Sequence, residues 1–365
     1  MVKVLLALVT AAMIGAAPFD ATDQSAATAS AVAPASDYDR AAALDAVRRL
    51  AGALEERFVF PDTARAYAAM LRSNLDAGAY ADISDPQTLA STVTADLQAV
   101  APDGHLRLAA PRADMSATTA TSASRPLRRR PDPIEQAGWI APRIAYVRFN
   151  AFTGGDEARQ VAQFLEVHEG AKALIIDGRT HYGGGLEEMN EIFSRIFSEP
   201  KTLMVMETRA GVEDDGEDAP SEAFVRVEAP SAFRRFEHRA VPGPDTSWRT
   251  ARVYYLISGR TVSAGEHLAA ALKGTHRGLL IGETTAGAGN YGGTVELPGG
   301  YSAFIPVGRS YFPGSSGWEG TGVSPDVVIA PERALAEALI REGVEPAEAE
   351  RLSAEHMPSG PMTKR

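Results

Sequence analysis

Cysteine is absent from the 365-residue chain. That excludes disulfides, thiolate nucleophiles, iron–sulfur clusters and thiolate zinc sites together. Aromatic residues are scarce at 7%, and no apolar run after Ala17 approaches the roughly 20 residues a membrane-spanning helix needs. Positive charge is in deficit: 36 Lys and Arg against 47 Asp and Glu leave −11. A general nucleic-acid or anionic-membrane binder would carry a basic footprint instead. The dense basic run Arg125 to Arg130 and the acidic run Glu213 to Asp218 are expected to be solvated loops.

The chain opens with Lys3 and an apolar stretch from Val4 to Ala17, then small residues. This is the pattern of a secretory signal, too short for a comfortable span, with cleavage expected between Ala17 and Ala27. Pro18 disfavours a cut directly after Ala17, and a lipoprotein anchor lacks the cysteine it would need. Export to a periplasm or to the outside is therefore expected. Residues 1–27 are assigned to this signal and the start of a tether, which continues in Ala, Ser, Thr and Asp to Ser36. A second low-complexity stretch, Ser116 to Ser124, lies in a linker of residues 111–137, and Met357 to Arg365 reads as a frayed end.

Residues 37–110 carry helical periodicity. Leu44, Val47, Leu50, Leu54 and Phe58 share one face, Pro61 interrupts, and further helices are predicted from Thr63 to Leu75 and from Pro86 to Val100, the last capped by Asp85. A three-helix bundle would end at the turn Pro102-Asp103-Gly104. In residues 138–345 strands alternate with helices: Arg143–Phe149, Ala173–Ile176, Arg252–Ile257 and Gly278–Ile281 read as buried strands. Helices are expected over Gly155–Val167, Leu186–Phe197 and Ala264–Lys273. This is an α/β core with largely parallel strands, and such cores bind ligands where strand ends run into helices. Residues 346–365 are left as a C-terminal tail.

Two strand-to-helix segments can carry chemistry. In Asp177 to Glu188, three successive glycines, Gly183 to Gly185, either form an anion-binding nest of backbone N–H groups or serve a tight turn. In Ile257 to Gly274, Ser263 enters a helix behind small residues. It is either a nucleophile, with its oxyanion held by the next N–H, or the first residue of a capping box closed by Glu266. A serine needs a base, and the chain has seven histidines. His168, His238, His276 and His356 lie in polar or terminal settings and are expected at the surface. His267, four residues beyond Ser263, is expected to face solvent or a neighbour. His105 follows a turn that can aim it into a cleft, although its own residues fit a surface-turn histidine better, and His181 is the second choice. No His-Glu-x-x-His occurs and the histidines do not cluster, so no metal site is assigned. Gly287-Ala-Gly289-Asn-Tyr-Gly292 matches a dinucleotide fingerprint but leads into alternating strand residues, not a helix, so no nucleotide cofactor is expected.

Taken together, six segments resemble the tail-specific (C-terminal processing) serine protease superfamily. They are Glu56 to Ala64, Asp103 to Leu108, Ile144 to Phe152, Leu174 to Gly185, Ser258 to Lys273 and Val307 to Ile329. The closer similarity is to the branch of interphotoreceptor retinoid-binding protein repeats and the tricorn core protease. The resemblance implies a Clp protease/crotonase-like, β-rich αβ core behind the helical bundle. It places Ser263 at the nucleophile, His105 at the base and Glu319 at the acid that orients the base. The oxyanion hole falls on the backbone of Ala264 and of Gly183 or Gly184, with Gly183 preferred. The tail-specific branch uses a lysine where this chain has Ala288, so a Ser-Lys dyad is excluded.

Two departures qualify the resemblance. The segment between His105 and Arg143 is too short for a PDZ domain. Thr180-His181-Tyr182 stands where the family usually has asparagine, and His181 can contact substrate, assist the oxyanion or simply be tolerated there. The expected function is an exported serine peptidase acting through an acyl-enzyme, with peptide or unfolded protein as substrate. No cofactor, nucleic-acid partner or membrane span after signal removal is expected, and the oligomeric state is left open. The alternative is a non-proteolytic binder of retinoid- or fatty-acid-like ligands, or an inactive relative.

Overall fold

The computed structural model of the protein describes residues 38–112, 131–212 and 221–363. The signal and tether, the stretch from Ser116 to Arg130 and the run Glu213 to Asp218 lie outside the described residues. No helix among those described is long and apolar enough to cross a membrane.

Helices α1 (Arg40–Arg57), α2 (Pro61–Asp76) and α3 (Pro86–Val100) form as their periodicity predicts. Asp39 caps α1 by accepting from the Ala42 N–H at 3.0 Å, and Asp85 caps α3 through the Thr88 N–H at 2.6 Å. Helix α2 starts earlier than expected because Pro61 occupies its first turn, where the missing N–H costs nothing. The three helices bury Val47, Leu50, Leu54, Tyr67, Leu71, Val93 and Leu97 against strand residues Ala303 and Ile305, so they share one core with a sheet.

Two six-stranded sheets follow. The first contains β2 (Ile134–Ala141), β3 (Ile144–Phe149), β4 (Ala173–Asp177), β8 (Arg252–Ile257), β9 (Leu279–Gly282) and β12 (Val327–Val328). Its order is β12-β9-β8-β4-β3-β2, parallel throughout except for the antiparallel edge strand β2. Period-2 alternation sends its side chains into two cores. Val147, Leu174, Ile176, Val253, Tyr255 and Ile257 face one that includes residues of α4 (Asp156–Val167), α5 (Glu187–Ile196) and α6 (Ala264–Gly274). Tyr146, Ala173, Ile175, Tyr254 and Leu256 face the other, beneath α7 (Ala334–Arg341) and α8 (Pro346–Glu355). Covering both faces is what makes these strands continuous apolar runs.

The second sheet is antiparallel: β1 (Arg107–Ala109), β5 (Lys201–Arg209), β6 (Phe224–Val227), β7 (Phe233–Ala240), β10 (Asn290–Glu296) and β11 (Ser302–Tyr311). Strand β10 runs along one edge of β11, while β1 pairs with its start and β5 with its end. Together these give the mixed α/β architecture with a β-rich core and helical N-terminal region that was expected.

The C-terminal segment departs from the frayed end expected for it. The carbonyl of His356, just past α8, accepts from the buried guanidinium groups of Arg148 and Arg179, and Pro358 and Met362 are buried. Arg148 and Arg179 also bond to Asp177, so the tail supplies an acceptor that these desolvated cations need.

Candidate active site

Because β4, β8 and β9 are parallel neighbours, the loops leaving them, residues 178–186, 258–263 and 283–289, emerge at one end of the sheet. Ser263 stands at the foot of α6 with φ 57° and ψ −117°, a left-handed backbone for a residue with a Cβ. Such a conformation costs of order 1–3 kcal/mol and persists only where its surroundings impose it. Glu266 imposes it here. Its buried carboxylate accepts from the Ser263 N–H at 3.0 Å, the Gly287 N–H at 2.6 Å, the Ala288 N–H at 2.8 Å and the Thr285 hydroxyl at 2.6 Å. Burial pushes this carboxyl up, and the four donors oppose that shift. One carboxylate thus ties the serine turn to the loop after β9.

The glycine loop faces the same serine. A Cβ on Gly183 would lie 3.0 Å from the Ser263 Cβ and 3.5 Å from its Oγ; one on Gly184 would meet the Phe152 carbonyl at 1.8 Å. Both have positive φ, so close approach and backbone conformation demand glycine together. His181 is fully buried beneath this loop, edge-on to Phe152, with Nδ1 accepting the Gly183 N–H at 3.1 Å. Accepting at Nδ1 leaves the proton on Nε2, which has no partner. Burial holds His181 down at about 3, so it is neutral. Among the described residues the N–H groups of Ala264 and Gly184 have no hydrogen-bond acceptor.

His105 lies on the turn between α3 and β1, its ring stacked on Phe304 with centroids 5.1 Å apart. Asp103 forms this turn: its Oδ1 accepts from the N–H groups of His105 and Leu106, both at 2.8 Å. Gln98 bolts the turn to α3, accepting from the Asp103 N–H and donating to the carbonyls of Asp103 and Leu106. Burial lowers the His105 proton affinity, and the charge of Asp103 opposes that. Glu319 binds the same turn, but through the backbone. Its carboxylate accepts from the N–H groups of Gly104 (2.6 Å), Gly289 (2.6 Å) and Asn290 (2.8 Å). Burial, reinforced by Asp103, pushes Glu319 up to about 7. Among the described residues no hydrogen bond joins His105 to Ser263 or Glu319, and His105 Nδ1 is buried without a partner. Catalytic hydrogen bonds are often open in ligand-free sites and tighten on binding.

The structure therefore brings Gly183 against Ser263, and Glu319 bonds directly both to the His105 turn and to the end of the loop that contains Ala288. Sequence reading passed over Asp103 and Asn290 as ligating side chains. An Asp two residues before a histidine in a turn was the available signal, since Asp bonds backbone N–H groups two residues on. Two histidines expected at the surface are buried instead. His168 packs against Phe164 and bonds that residue's carbonyl, while His238 stacks on Phe224 between Asn190 and His267. Each is covered by an element distant in sequence or by its own helix, which local polarity does not reveal. Gly287 to Gly292 leads into β10, in keeping with the rejection of a dinucleotide fingerprint.

A serine on a left-handed turn between a parallel strand and a helix, faced by a glycine loop from the neighbouring strand, marks the protein as one of α/β class with its candidate site at the carboxyl ends of the strands. Within that class the chain belongs to peptidase family S41, whose model matches residues 143–329. A further model, described as the N-terminal domain of Peptidase_S41 in eukaryotic IRBP, matches residues 39–138. The chloroplastic C-terminal processing peptidase of Tetradesmus obliquus is 28% identical over 200 residues, 53% of this chain and 37% of that one. The carboxyl-terminal-processing protease of a Picosynechococcus species is 26% identical over 191 residues, 52% of this chain and 40% of that one. The chain thus spans less than half the length of these relatives. A solved structure from Parabacteroides merdae shares the fold, with a TM-score of 0.53 at 16% identity over 88% of this chain and 97% of that one.

Proposed function

We propose that the protein is an exported serine peptidase that cleaves peptide bonds through an acyl-enzyme. The observation that carries this reading is Ser263, held on strained backbone at a helix start with Gly183 against its hydroxyl. In this reading His105 takes the Ser263 proton and returns it to the leaving amine. Glu319 fixes the turn on which His105 stands, and its charge stabilises the imidazolium that forms. The Ala264 N–H holds the oxyanion, joined by the glycine loop. Gly184 takes that second place in preference to Gly183, because the Gly183 N–H is already given to His181. His181 acts from beneath the loop, as its support, and not by touching substrate. Unfolded or extended peptide is the substrate class that follows from the family. Export rests on Lys3 and the apolar stretch Val4 to Ala17.

The test is labelling with a fluorophosphonate beside cleavage of a proteome-derived peptide library. Wild type is expected to label and cleave; Ser263→Ala and His105→Ala are expected to do neither. Undiminished cleavage by Ser263→Ala would sink the reading.

A second reading, a binder of apolar ligands without turnover, is favoured by one observation. A groove of about 280 Å³ opens between α4 and β2–β3, its wall made by Ile134, Val147, Val161, Phe164 and Val167 together with the polar Gln160, Gln163 and His168, with no residue of the serine site in it. Displacement of a fluorescent fatty acid, combined with no cleavage in the library, would select it.

A further inference from the structure

We propose that Asp103 and Asn290 are a positioning pair for His105, and that this pair sets the register of the base against Ser263. The inference rests on His105 being the base. Asn290 opens β10 and is buried, with 4% of its surface exposed. Its side-chain Nδ2 donates to Asp103 Oδ2 at 2.9 Å and its backbone N–H donates to Glu319 Oε2 at 2.8 Å. The two carboxylates that hold the His105 turn thus meet at one residue from a strand that bears none of the proposed triad.

The reason lies in how the turn is attached. His105 stands on a short turn whose flanking elements, α3 and β1, pack into the core that the helices share with the second sheet, where β1 pairs with β11. Its anchorage toward the serine loops among the described side chains is two hydrogen bonds: Gly104 N–H to Glu319, and Asp103 to Asn290. Asp103 Oδ1 is fully used by the N–H groups of His105 and Leu106, so Oδ2 is the oxygen left to reach across. Asp103 is 6% exposed, and a buried carboxylate oxygen facing a lost donor would pull the turn toward whatever donor or water replaced it. A displacement of about 1 Å at a base can cost roughly 100-fold in rate, whereas substrate binding at a distance is untouched. The pair is thus a positioning device: neither side chain need contact substrate.

The side chains differ by one donor, which allows an exchange test. In Asn290→Asp two carboxylates face each other beside Glu319. We expect kcat to fall about 10- to 100-fold with KM little changed, and the acid limb of the kcat profile to move to higher pH. Asp103→Asn is expected to lose activity as well, because its donor then faces the Asn290 donor. The double variant Asp103→Asn/Asn290→Asp restores one donor, one acceptor and the total charge, and is expected to recover most of kcat and the wild-type pH profile. Thermal melts of all three guard against trivial misfolding, and the double variant keeps the test open if a single one unfolds. Loss of activity in the single variants with no recovery in a folded double variant, or equal changes in kcat and KM, would overturn the positioning role alone. Unchanged cleavage by His105→Ala would instead remove the base itself and the inference with it.

Discussion

A Cβ placed on Gly104 would come within 2.8 Å of the Ala288 Cβ, so the turn bearing His105 and the loop after β9 touch backbone to backbone. The resemblance to the tail-specific proteases puts their lysine at the position of Ala288. The turn and a lysine there compete for one space. Ala288→Lys is therefore expected to push the turn away and lower kcat at least about tenfold, since small displacements of a base are costly. Nor should it restore cleavage to His105→Ala. Steady-state kinetics of the single and double variants check both statements.

The pH dependence of activity is expected to report Glu319. Its carboxyl is raised to about 7, while burial moves His105 in the opposite direction, to lower pH. As pH falls, Glu319 is therefore neutralised before His105 becomes charged. Cleavage should decline through about pH 7, and Glu319→Gln should lower kcat and flatten that limb. The stability sign is the reverse: a carboxyl raised on folding favours the folded state when protonated, a contribution lost as pH rises through about 7.

Removing the Glu266 carboxylate strands three N–H groups and the Thr285 hydroxyl. Buried donors left without acceptors cost about 1–3 kcal/mol each and not additively. Glu266→Ala is expected to lower stability by roughly 3 kcal/mol, and to lower fluorophosphonate labelling of Ser263 beyond what partial unfolding explains. Urea titration beside labelling of the folded fraction separates the two effects.

Three buried histidines make the fold acid-sensitive. Burial holds His181 at about 3 and His267 at about 4, and lowers His238 as well. The unfolded chain takes up these protons near pH 6.5, well before the folded one. Stability is therefore present above about 6.5 and drains as pH falls, by about 1.4 kcal/mol per histidine per pH unit. Urea midpoints should drop steeply between pH 7 and 5. A flat profile would show that these rings have reached solvent.

Much of the architecture is legible in the chain alone, because its causes are local. Asp39, Asp85 and Pro61 punctuate α1 to α3, and runs such as Ala173 to Ile176 are apolar on both faces because helices cover both. The antiparallel strands were harder to read. In β7, Phe233 to Ala240, the buried positions are Phe236, His238 and Ala240, and its charge is balanced from other strands: Glu207 of β5 bonds both Arg235 of β7 and Arg309 of β11. Burial in this strand does alternate, but one inward position is a histidine and the outward ones are charges neutralised by other strands, so the alternation is not written as apolar against polar residues.

The same division runs through the site. The absence of cysteine excludes thiolate chemistry from sequence alone, the resemblance turns Ala288 into an argument against a Ser-Lys dyad, and the motifs around Ser263 and Gly183 carry the family. Only the tertiary structure decides that Glu319 grips the backbone of the His105 turn, that His181 lies under the glycine loop, and that Asn290 reaches Asp103. These depend on residues up to 215 positions apart in the chain meeting in a desolvated space, where a hydrogen bond is costly to leave unmade. Local sequence encodes which groups are available; packing decides which of them face each other.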